Sequence, residues 1–242
     1  MDKYVIRELT SEGDIKGYYT MHRECFPTDH DWGLQDISDW IKSQKQSHIF
    51  GLFEGEIMIG FRHIWCIKDY NICNVPYAGM KSEYRGKGIY PMFSLETEKI
   101  IKDLGFDIIT NEVENPNEMK TKESQLLAER RIKMFKNKLG YSIIQNSNDL
   151  RYERNSPPIA GDDDMHKSQF EYLLGFKIIN PMQKTITFDN NGISKGDYEK
   201  LFWSIRYIER GTFDHVELMK LKPISNFISN LCSSEEERFA FY

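Results

Sequence analysis

The segment Glu83–Phe93, EYRGKGIYPMF, contains the residues of this sequence that are best suited to bind an anion. Two glycines flank Lys87, Arg85 precedes them, and Pro91 falls in the first turn of a predicted helix, where its missing N–H costs nothing. A strand, a glycine loop and a helix N-terminus in succession direct backbone N–H groups at a phosphate. The segment therefore predicts a phosphate-binding loop in which Tyr90 is an unexpectedly bulky side chain.

Two common phosphate loops do not fit this segment. The pattern G-x-x-x-x-G-K-[ST] of nucleotide triphosphatases is absent from the sequence. A dinucleotide-binding fingerprint needs a third glycine and a βαβ unit, whereas this segment has a single GxG that follows a series of predicted strands.

Glu112 and Glu114 form a second feature with chemical potential, because they lie two residues apart on a predicted strand and so share one face. A carboxylate in a cleft can remove the proton from an amine, directly or through water, and so expose the lone pair needed for attack. The alternative is a pair of surface acids that are solvated or paired with Arg130 or Arg131 of the next helix.

The elements that must position these groups follow from hydrophobic periodicity and turn signals. Phe93, Ile100 and Leu104 are predicted to share the apolar face of the helix after the glycine loop. The predicted strands are Tyr4–Leu9, His48–Phe53, Glu56–Trp65, one ending near Met80, Phe106–Val113 and Tyr141–Gln145; the predicted helices are Asp14–Cys25, one around 34–41, Tyr90–Leu104, Glu118–Leu139 and Asp197–Arg210.

A Leu-Gly-aromatic signature recurs at Leu104, Leu139 and Leu174, spaced 35 residues apart each time. Each copy is typical of a helix that ends at a left-handed glycine and is followed by a buried strand. The third copy therefore predicts a helix before Leu174 and a strand after it.

The order of elements, with Arg85-Gly86-Lys87-Gly88-Ile89 at its centre, resembles the GNAT superfamily of acyl-CoA-dependent N-acyltransferases. Arg85 and Gly88 match the family motif Q/R-x-x-G-x-G/A, whereas Tyr90 replaces its final small residue. The resemblance covers about Tyr4 to Gln145 and includes the helix end Met134–Tyr141. It implies an α/β fold with a mixed sheet, followed here by a C-terminal α/β extension. Within the superfamily, Glu112–Pro116 and Arg131–Phe135 resemble a bacterial subgroup.

The resemblance implies that acetyl-CoA, or another short acyl-CoA, is the co-substrate. The thioester would lie beside residues 111–114, where the fourth strand splays from the fifth, with its carbonyl polarised by a strand N–H near Met80. The residues implied to bind the cofactor are Arg85, Gly86, Lys87, Gly88, Ile89 and Tyr90 at the pyrophosphate, Ala78, Gly79 and Met80 along the pantetheine arm, and Asn115.

The sequence departs from the family at the proton donor. Many members have a tyrosine near the thiol in the helix before the Leu-Gly-aromatic turn, and here that residue is Phe135. Water, Tyr77 or Tyr90 could protonate the thiolate, or the protein is a weak catalyst. The ring of Tyr90 is predicted to turn toward the edge of the cofactor or the protein surface.

The acceptor site is expected to involve Pro27–Trp32, whose two carboxylates, imidazole and indole suit a cationic amine. Asp162–Asp164 is a further acidic run that would attract a polyamine or aminoglycoside, or is simply solvated. We predict a GNAT-like domain over 1–146, a linker over 147–164 and an extension over 165–242 that completes the sheet, covers the acceptor cleft or forms a homodimer interface.

Composition is typical of a globular protein and gives no sign of nucleic-acid or membrane binding, and the resemblance implies a small-molecule or peptide amine as its partner. The net charge of −5 opposes general nucleic-acid binding, and the start MDKYVIRELT lacks the apolar core of a signal peptide. Cysteine and histidine spacing predicts no metal site and free thiols at Cys66 and Cys73. We therefore expect a cytoplasmic N-acyltransferase, with an acyl-CoA-binding sensing or interaction module of weak activity as the alternative.

Overall fold

A computed structural model describes residues 3–26, 38, 47–145, 153–155, 167–183, 185–210, 219, 222–234 and 237–242. These residues form a mixed α/β structure with eleven strands and five helices. The strands are β1 Tyr4–Glu8, β2 Ser47–Glu54, β3 Ile57–Ile67, β4 Ile72–Met80, β5 Ile108–Glu114, β6 Ser142–Ile143, β7 Glu153–Asn155, β8 Lys167–Ile178, β9 Phe188–Asp189, β10 Gly192–Ser194 and β11 Arg238–Phe239. The helices are α1 Glu12–Cys25, α2 Ile89–Asp103, α3 Lys122–Leu139, α4 Lys195–Arg210 and α5 Lys222–Ser233.

The main sheet has the order β1-β2-β3-β4-β5-β8-β6, with β7 paired to β8 outside this path. Neighbouring strands are antiparallel except for β4 and β5, which are parallel. A second, small sheet has the order β11-β10-β9. The β4–β5 pair is parallel because the chain crosses from one strand to the next through α2, as parallel connections require.

Helices cover both faces of the main sheet. Ile109 and Val113 of β5 belong to the apolar cluster that contains side chains of α2 and α3. The alternate residue Ile108 belongs to the cluster that contains α4 and α5. Because side chains alternate along a strand, α2 and α3 lie on one face, and α4 lies on the other. We call these the α2 face and the α4 face.

Most of the local predictions up to residue 145 are confirmed. The β2–β3 hairpin turns at Gly55, and α2 and α3 end at Gly105 and Gly140, all three glycines having a positive φ. Cys66 and Cys73 are free thiols that lie opposite each other on β3 and β4. The helix predicted around residues 34–41 lies, apart from Ser38, outside the described residues.

Two predictions about buried faces and junctions are wrong. In α2, Ile101 is fully buried, whereas Ile100 and Leu104 are 38% and 50% exposed. Leu174-Gly175 lies within β8 and does not follow a helix. Gly175 is not one of the glycines with a positive φ. A glycine is needed here for steric reasons, since a Cβ would lie 2.2 Å from Oδ1 of Asn111.

The C-terminal part of the chain supplies a strand to the main sheet. β8 pairs with β5 from Ile108↔Ile178 to Glu114↔Tyr172, so it separates β5 from β6. The strand predicted over Tyr141–Gln145 is reduced to β6 and an isolated bridge between Ile144 and Phe241. The division at 146 and 165 stays a prediction. Of the helices that the structure describes, none is both long and apolar enough to cross a membrane.

Candidate active site

A cleft opens where β4 and β5 diverge. The two strands pair only at Ile72–Asn74 with Ile108–Thr110. Beyond this point β4 remains paired to β3 as far as Met80, and β5 remains paired to β8 as far as Glu114. Pro76 has no N–H to offer to a neighbouring strand at this edge. Two backbone edges therefore face each other across a widening gap whose narrow end is at Asn74 and Thr110.

The glycine loop stands at the wide end of this cleft, directly after β4. Gly86 and Gly88 have φ values of 74° and 73°, which favour glycine. Gly88 is the N-cap of α2, which has neither a side-chain cap nor an acidic residue in its first turn. By contrast, Ser11 and Thr121 cap α1 and α3 with their hydroxyls. Within the part of the chain that the structure describes, the first N–H groups of α2 thus have no side-chain cap and are available to an anion.

The side chains of Arg85 and Lys87 lie at the protein surface beside this loop. Nε of Arg85 donates to the carbonyl oxygen of Met80 at 2.9 Å, and its Nη2 lies 3.9 Å from Sγ of Cys25. Nζ of Lys87 lies 5.6 Å from the centre of the Tyr84 ring. Arg85 therefore ties the loop to the end of β4, where Met80 is located, and both cations stay beside the uncapped helix end.

Tyr90 is half-buried and packs against the apolar cluster on the α2 face, and the predicted direction of its ring toward the cofactor edge or the surface stays a prediction. Its hydroxyl interacts with the Arg62 guanidinium and lies near the Glu98 carboxylate. Burial raises the pKa of Tyr90, and the positive charge of Arg62 partly opposes that rise. The bulk at this motif position is thus partly taken up by packing against the protein.

Arg62, which Tyr90 contacts, belongs to a buried ionic network on the α2 face. Arg62 is fully buried on β3; its Nη1 donates to the carbonyl oxygen of Ser94 at 2.8 Å and also to Oγ1 of Thr97. Its Nη2 lies 3.8 Å from Oε1 of Glu98. The Glu98 carboxylate also accepts hydrogen bonds from Lys177 of β8 at 2.6 Å, Ser94 at 3.0 Å and Tyr141 at 3.4 Å. The network ties β3, α2 and β8 together.

Glu112 and Glu114 have partners in different layers. Oε1 of Glu112 lies 4.0 Å from Nη2 of Arg206 on α4, and both side chains are buried, at 5% and 1% exposure. Glu114 forms an ion pair with Arg131 of α3, and both of these side chains are partly exposed. The predicted alternative of a pair with Arg131 thus describes Glu114. Glu112 is the buried carboxylate, and it lies two residues beyond Thr110, where the pairing of β4 with β5 ends.

The tyrosines considered as proton donors all have other contacts. The ring of Phe135 packs edge-to-face against Tyr141 at 5.3 Å, and the Tyr141 hydroxyl donates to Glu98. Burial raises the pKa of Tyr141 well above its usual value. Tyr77 packs against His22 at 4.6 Å on the other face of the sheet. The Tyr141 hydroxyl is thus engaged with the Glu98 carboxylate.

His63 forms a buried polar cluster on the α4 face of the sheet. Its Nε2 accepts from the indole N–H of Trp65 and lies 2.8 Å from Oγ of Ser47. Because indole can only donate, the proton of the neutral ring belongs on Nδ1, which lies 3.2 Å from the Tyr18 hydroxyl. Burial, together with the nearby His22, lowers the pKa of His63 to about 3. This histidine is therefore held neutral.

The residues of these clusters that the sequence did not single out include Arg62, His63, Glu98 and Arg206. Arg62 and Arg206 did carry a signal, since each interrupts an apolar run, FRHIW in β3 and SIRYI in α4. A charge inside a buried element requires a partner, but the partner comes from elsewhere in the fold. The acceptor candidates Pro27–Trp32 and Asp162–Asp164 lie outside the described residues. A groove of about 340 Å³ between β1 and α2 lies at the outer edge of the sheet, away from the cleft.

The fold matches known acetyltransferase structures. A putative GNAT-family acetyltransferase from Bacteroides thetaiotaomicron superposes with a TM-score of 0.57 and 20% identity, over 86% of this chain and 99% of its own. The chain has the GNAT acetyltransferase fold. An aminoglycoside 6'-N-acetyltransferase complexed with coenzyme A superposes on this GNAT-fold chain with a TM-score of 0.52 and 14% identity, over 74% of this chain and 99% of its own.

An N-acetyltransferase from Staphylococcus aureus Mu50 superposes with a TM-score of 0.50 and 15% identity, over 73% of the GNAT-fold chain and 97% of its own. No protein-family model matches the sequence, and no curated protein matches it. At these identities the likeness concerns the fold.

Proposed function

We propose that this protein is an acyl-CoA-dependent N-acyltransferase that transfers a short acyl group, such as acetyl, to a primary amine by direct attack. The observation that supports it is the cleft between β4 and β5, which opens onto an uncapped, glycine-bracketed helix N-terminus. Such a helix end attracts phosphate groups, and the exposed strand edges can hydrogen-bond an extended amide-containing arm. The solved structure of a GNAT-fold acetyltransferase complexed with coenzyme A supports this choice of cofactor.

In this proposal the backbone of residues 85–90 binds the pyrophosphate, and residues 78–80 pair with the pantetheine arm. Asn115 follows β5 directly, and its side chain accepts a hydrogen bond from the N–H of Asn117 at 3.1 Å. It would border the cofactor at the wide end of the cleft. Acetyl-CoA is the proposed co-substrate.

Glu112 is the proposed base, because it is the carboxylate that lies inside beside the cleft. It removes a proton from the amine, whose lone pair then forms the N–C bond with the thioester carbonyl carbon. The C–S bond breaks and its electron pair stays on sulfur. The nitrogen loses a second proton as it becomes an amide, and this proton passes through water to the thiolate. A thiolate leaves tolerably without an acid because the pKa of a thiol is near 8.5. Amide and free coenzyme A are the products.

The cofactor assignment predicts the effect of adding a methyl group to the loop. Gly88→Ala is expected to weaken coenzyme A binding by about 10-fold or more, because its Cβ would stand among the N–H groups that face the pyrophosphate. Calorimetric titration with coenzyme A measures this change, with ATP as the competing ligand class.

Gly140→Ala is the matched control for this substitution. Gly140 has the same φ of 73° at the end of α3, and at both positions no described residue lies within 4 Å of an added Cβ. Both variants should lose about 1–2 kcal/mol of stability from left-handed backbone strain, and only Gly88→Ala should lose affinity. Equal affinity losses in both, or wild-type protein that binds ATP and not coenzyme A, would contradict the cofactor assignment.

The assignment of the base predicts different effects for the two glutamates. Glu112→Gln should lower kcat/KM about 10²- to 10⁴-fold, the range for loss of a general base. Glu114→Gln should change it only a few-fold, because Glu114 is partly exposed and paired with Arg131. A thiol-release assay over an amine panel measures both. If Glu114→Gln has the larger effect at equal thermal stability, the assignment is reversed.

Phe135 favours a second candidate function, an acyl-CoA-binding module of weak activity. A phenylalanine there offers no proton near the thiol, and its ring is packed on Tyr141. Coenzyme A binding at micromolar affinity without thiol release for any amine would favour this module. Turnover that rises in Phe135→Tyr would support the enzyme.

A further inference from the structure

A row of buried polar side chains crosses the α4 face at the narrow end of the cleft. Asn74 of β4 and Thr110 of β5 are fully buried, and Glu112 is the next residue of β5 on the same face. Oγ1 of Thr110 lies 3.2 Å from Oδ1 of Asn74 and 3.2 Å from the carbonyl oxygen of Cys73. The row is therefore ordered by contacts between the two strands at the point where they separate.

The side-chain amide nitrogen of Asn74, in this row, is a buried hydrogen-bond donor. Among the described residues, Nδ2 of Asn74 has no hydrogen-bond acceptor, although the side chain is fully buried. Buried amide N–H groups in folded proteins nearly always have an acceptor. Oδ1 is directed at Thr110, so the N–H₂ group is a hydrogen-bond donor at the narrow end of the cleft. An oxygen atom of a ligand would satisfy it.

Arg206 places a buried cation from α4 against the same row. Its Nη2 lies 4.0 Å from Oε1 of Glu112, and its guanidinium carbon lies 5.1 Å from the centre of the Phe202 ring. This distance of 4.0 Å is longer than the 2.7–2.9 Å typical of a charge-assisted hydrogen bond, so the two groups attract each other without being in hydrogen-bond contact. A buried carboxylate and a buried guanidinium of opposite charge thus lie on the face of the sheet that carries the amide donor.

We propose that the acceptor is a zwitterionic amino acid, whose amine faces Glu112 and whose carboxylate faces Arg206 and Nδ2 of Asn74. This inference rests on the proposed N-acyltransferase function and names the substrate class of the same site. A zwitterion matches both charges of the neutral pair, and guanidinium groups bind carboxylates in a planar, two-pronged geometry. A polyamine would bring a second cation toward Arg206, which repels it strongly where water is excluded.

The direction of the cofactor arm is compatible with this placement. From Met80 beside the loop to Asn74 at the narrow end of the cleft, β4 runs six residues, or about 20 Å at ~3.3 Å per residue. An arm that is held at the loop and extends along β4 therefore directs its thioester toward the row. There Glu112 accepts the first amine proton, the N–C bond forms and the C–S bond breaks. The second proton leaves the nitrogen as the amide forms and passes through water to the thiolate.

The experiment compares acceptors that differ only in the carboxylate. Twenty L-amino acids are first screened with acetyl-CoA by thiol release, together with putrescine and spermidine. The best amino acid is then compared with its amide and with the corresponding decarboxylated amine. We expect kcat/KM for the amino acid to exceed both analogues about 10- to 100-fold, the effect of losing one hydrogen bond to a charged group.

Substitutions on α4 and β4 test the residues involved. Arg206→Gln should reduce kcat/KM for the amino acid about 10-fold more than for its amide, so that the two substrates become equal, with Arg206→Lys intermediate. Asn74→Leu, which keeps the volume, should raise KM for the amino acid about 10-fold with little change in kcat. Lys200→Gln is the control, because Lys200 is an exposed cation on the same helix that pairs with Asp197. It should leave all values unchanged.

The outcomes separate the two levels of the proposal. Wild-type protein that acylates amines or diamines as fast as amino acids overturns the zwitterion assignment and leaves the N-acyltransferase function standing. If Arg206→Gln lowers kcat/KM for the amino acid and for its amide equally, the zwitterion assignment is also overturned, because a purely structural role of Arg206 has that effect. Wild-type protein that neither binds coenzyme A nor releases thiol with any acceptor overturns the proposed function itself, and this inference with it.

Discussion

Arg62→Met is expected to lower the free energy of unfolding by about 3–5 kcal/mol, the usual cost of breaking a buried ion pair from one side. Arg62 is fully buried and bonds to Ser94 and Thr97 of α2, and its loss leaves the Glu98 carboxylate, 4% exposed, with less compensating charge. Urea denaturation followed by circular dichroism measures the change.

The pair can be dissected with a second substitution. In the double variant Arg62→Met, Glu98→Leu both charges are gone, so most of the lost stability should return, since well-packed apolar residues often replace a buried pair at little cost. Lys99→Met is the control: Lys99 pairs with Glu96 at the surface and should cost at most about 1 kcal/mol. A loss below about 1 kcal/mol in Arg62→Met would show that the network contributes little to stability.

The network also predicts a second readout in Arg62→Met. The first turn of α2 carries the N–H groups that face the proposed pyrophosphate, and Tyr90 in that turn contacts Arg62. Amide exchange of residues 89–94 should therefore accelerate in the variant more than exchange in α3.

Stability is expected to fall as the pH is lowered from about 6.5 toward 3, through the buried His63. Its pKa is lowered to about 3 in the folded protein by burial and by His22, against about 6.5 in an unfolded chain. Between these values the unfolded chain binds a proton that the folded protein does not, so lowering the pH favours unfolding. At 1.36 kcal/mol per pKa unit, the full window is worth about 4–5 kcal/mol.

Urea denaturation at intervals from pH 7.5 to 4.5 measures this dependence. In His63→Gln the slope of the free energy of unfolding against pH below 6.5 should be smaller, by the amount that corresponds to uptake of about one proton on unfolding. Tyr18→Phe is the matched control, because it removes the hydroxyl 3.2 Å from Nδ1 and keeps the titrating ring; its slope should equal that of the wild type. Equal slopes in His63→Gln and wild type would show that His63 is not the group responsible.

The sequence by itself was sufficient for the features that local physics decides. A positive φ at Gly88 and Gly140, a proline in the first turn of α2 and the hairpin turn at Gly55 depend on a few neighbouring residues. The order of strands and helices up to residue 145 follows from the same short-range signals. The glycine loop between β4 and α2, and with it the resemblance to the GNAT superfamily, could be predicted for this reason.

Only the tertiary structure decided which distant groups meet. Leu174-Gly175 has a sequence typical of a helix end. Its glycine is instead needed because Asn111 from the neighbouring strand occupies the space that a Cβ would fill. Arg206 reaches Glu112 from 94 positions further along the chain, a pairing set by how α4 packs on the sheet. The contact of Tyr90 with the Arg62 guanidinium likewise joins distant parts of the chain. Strand pairing and buried charge compensation are long-range effects, so no short window of sequence contains them.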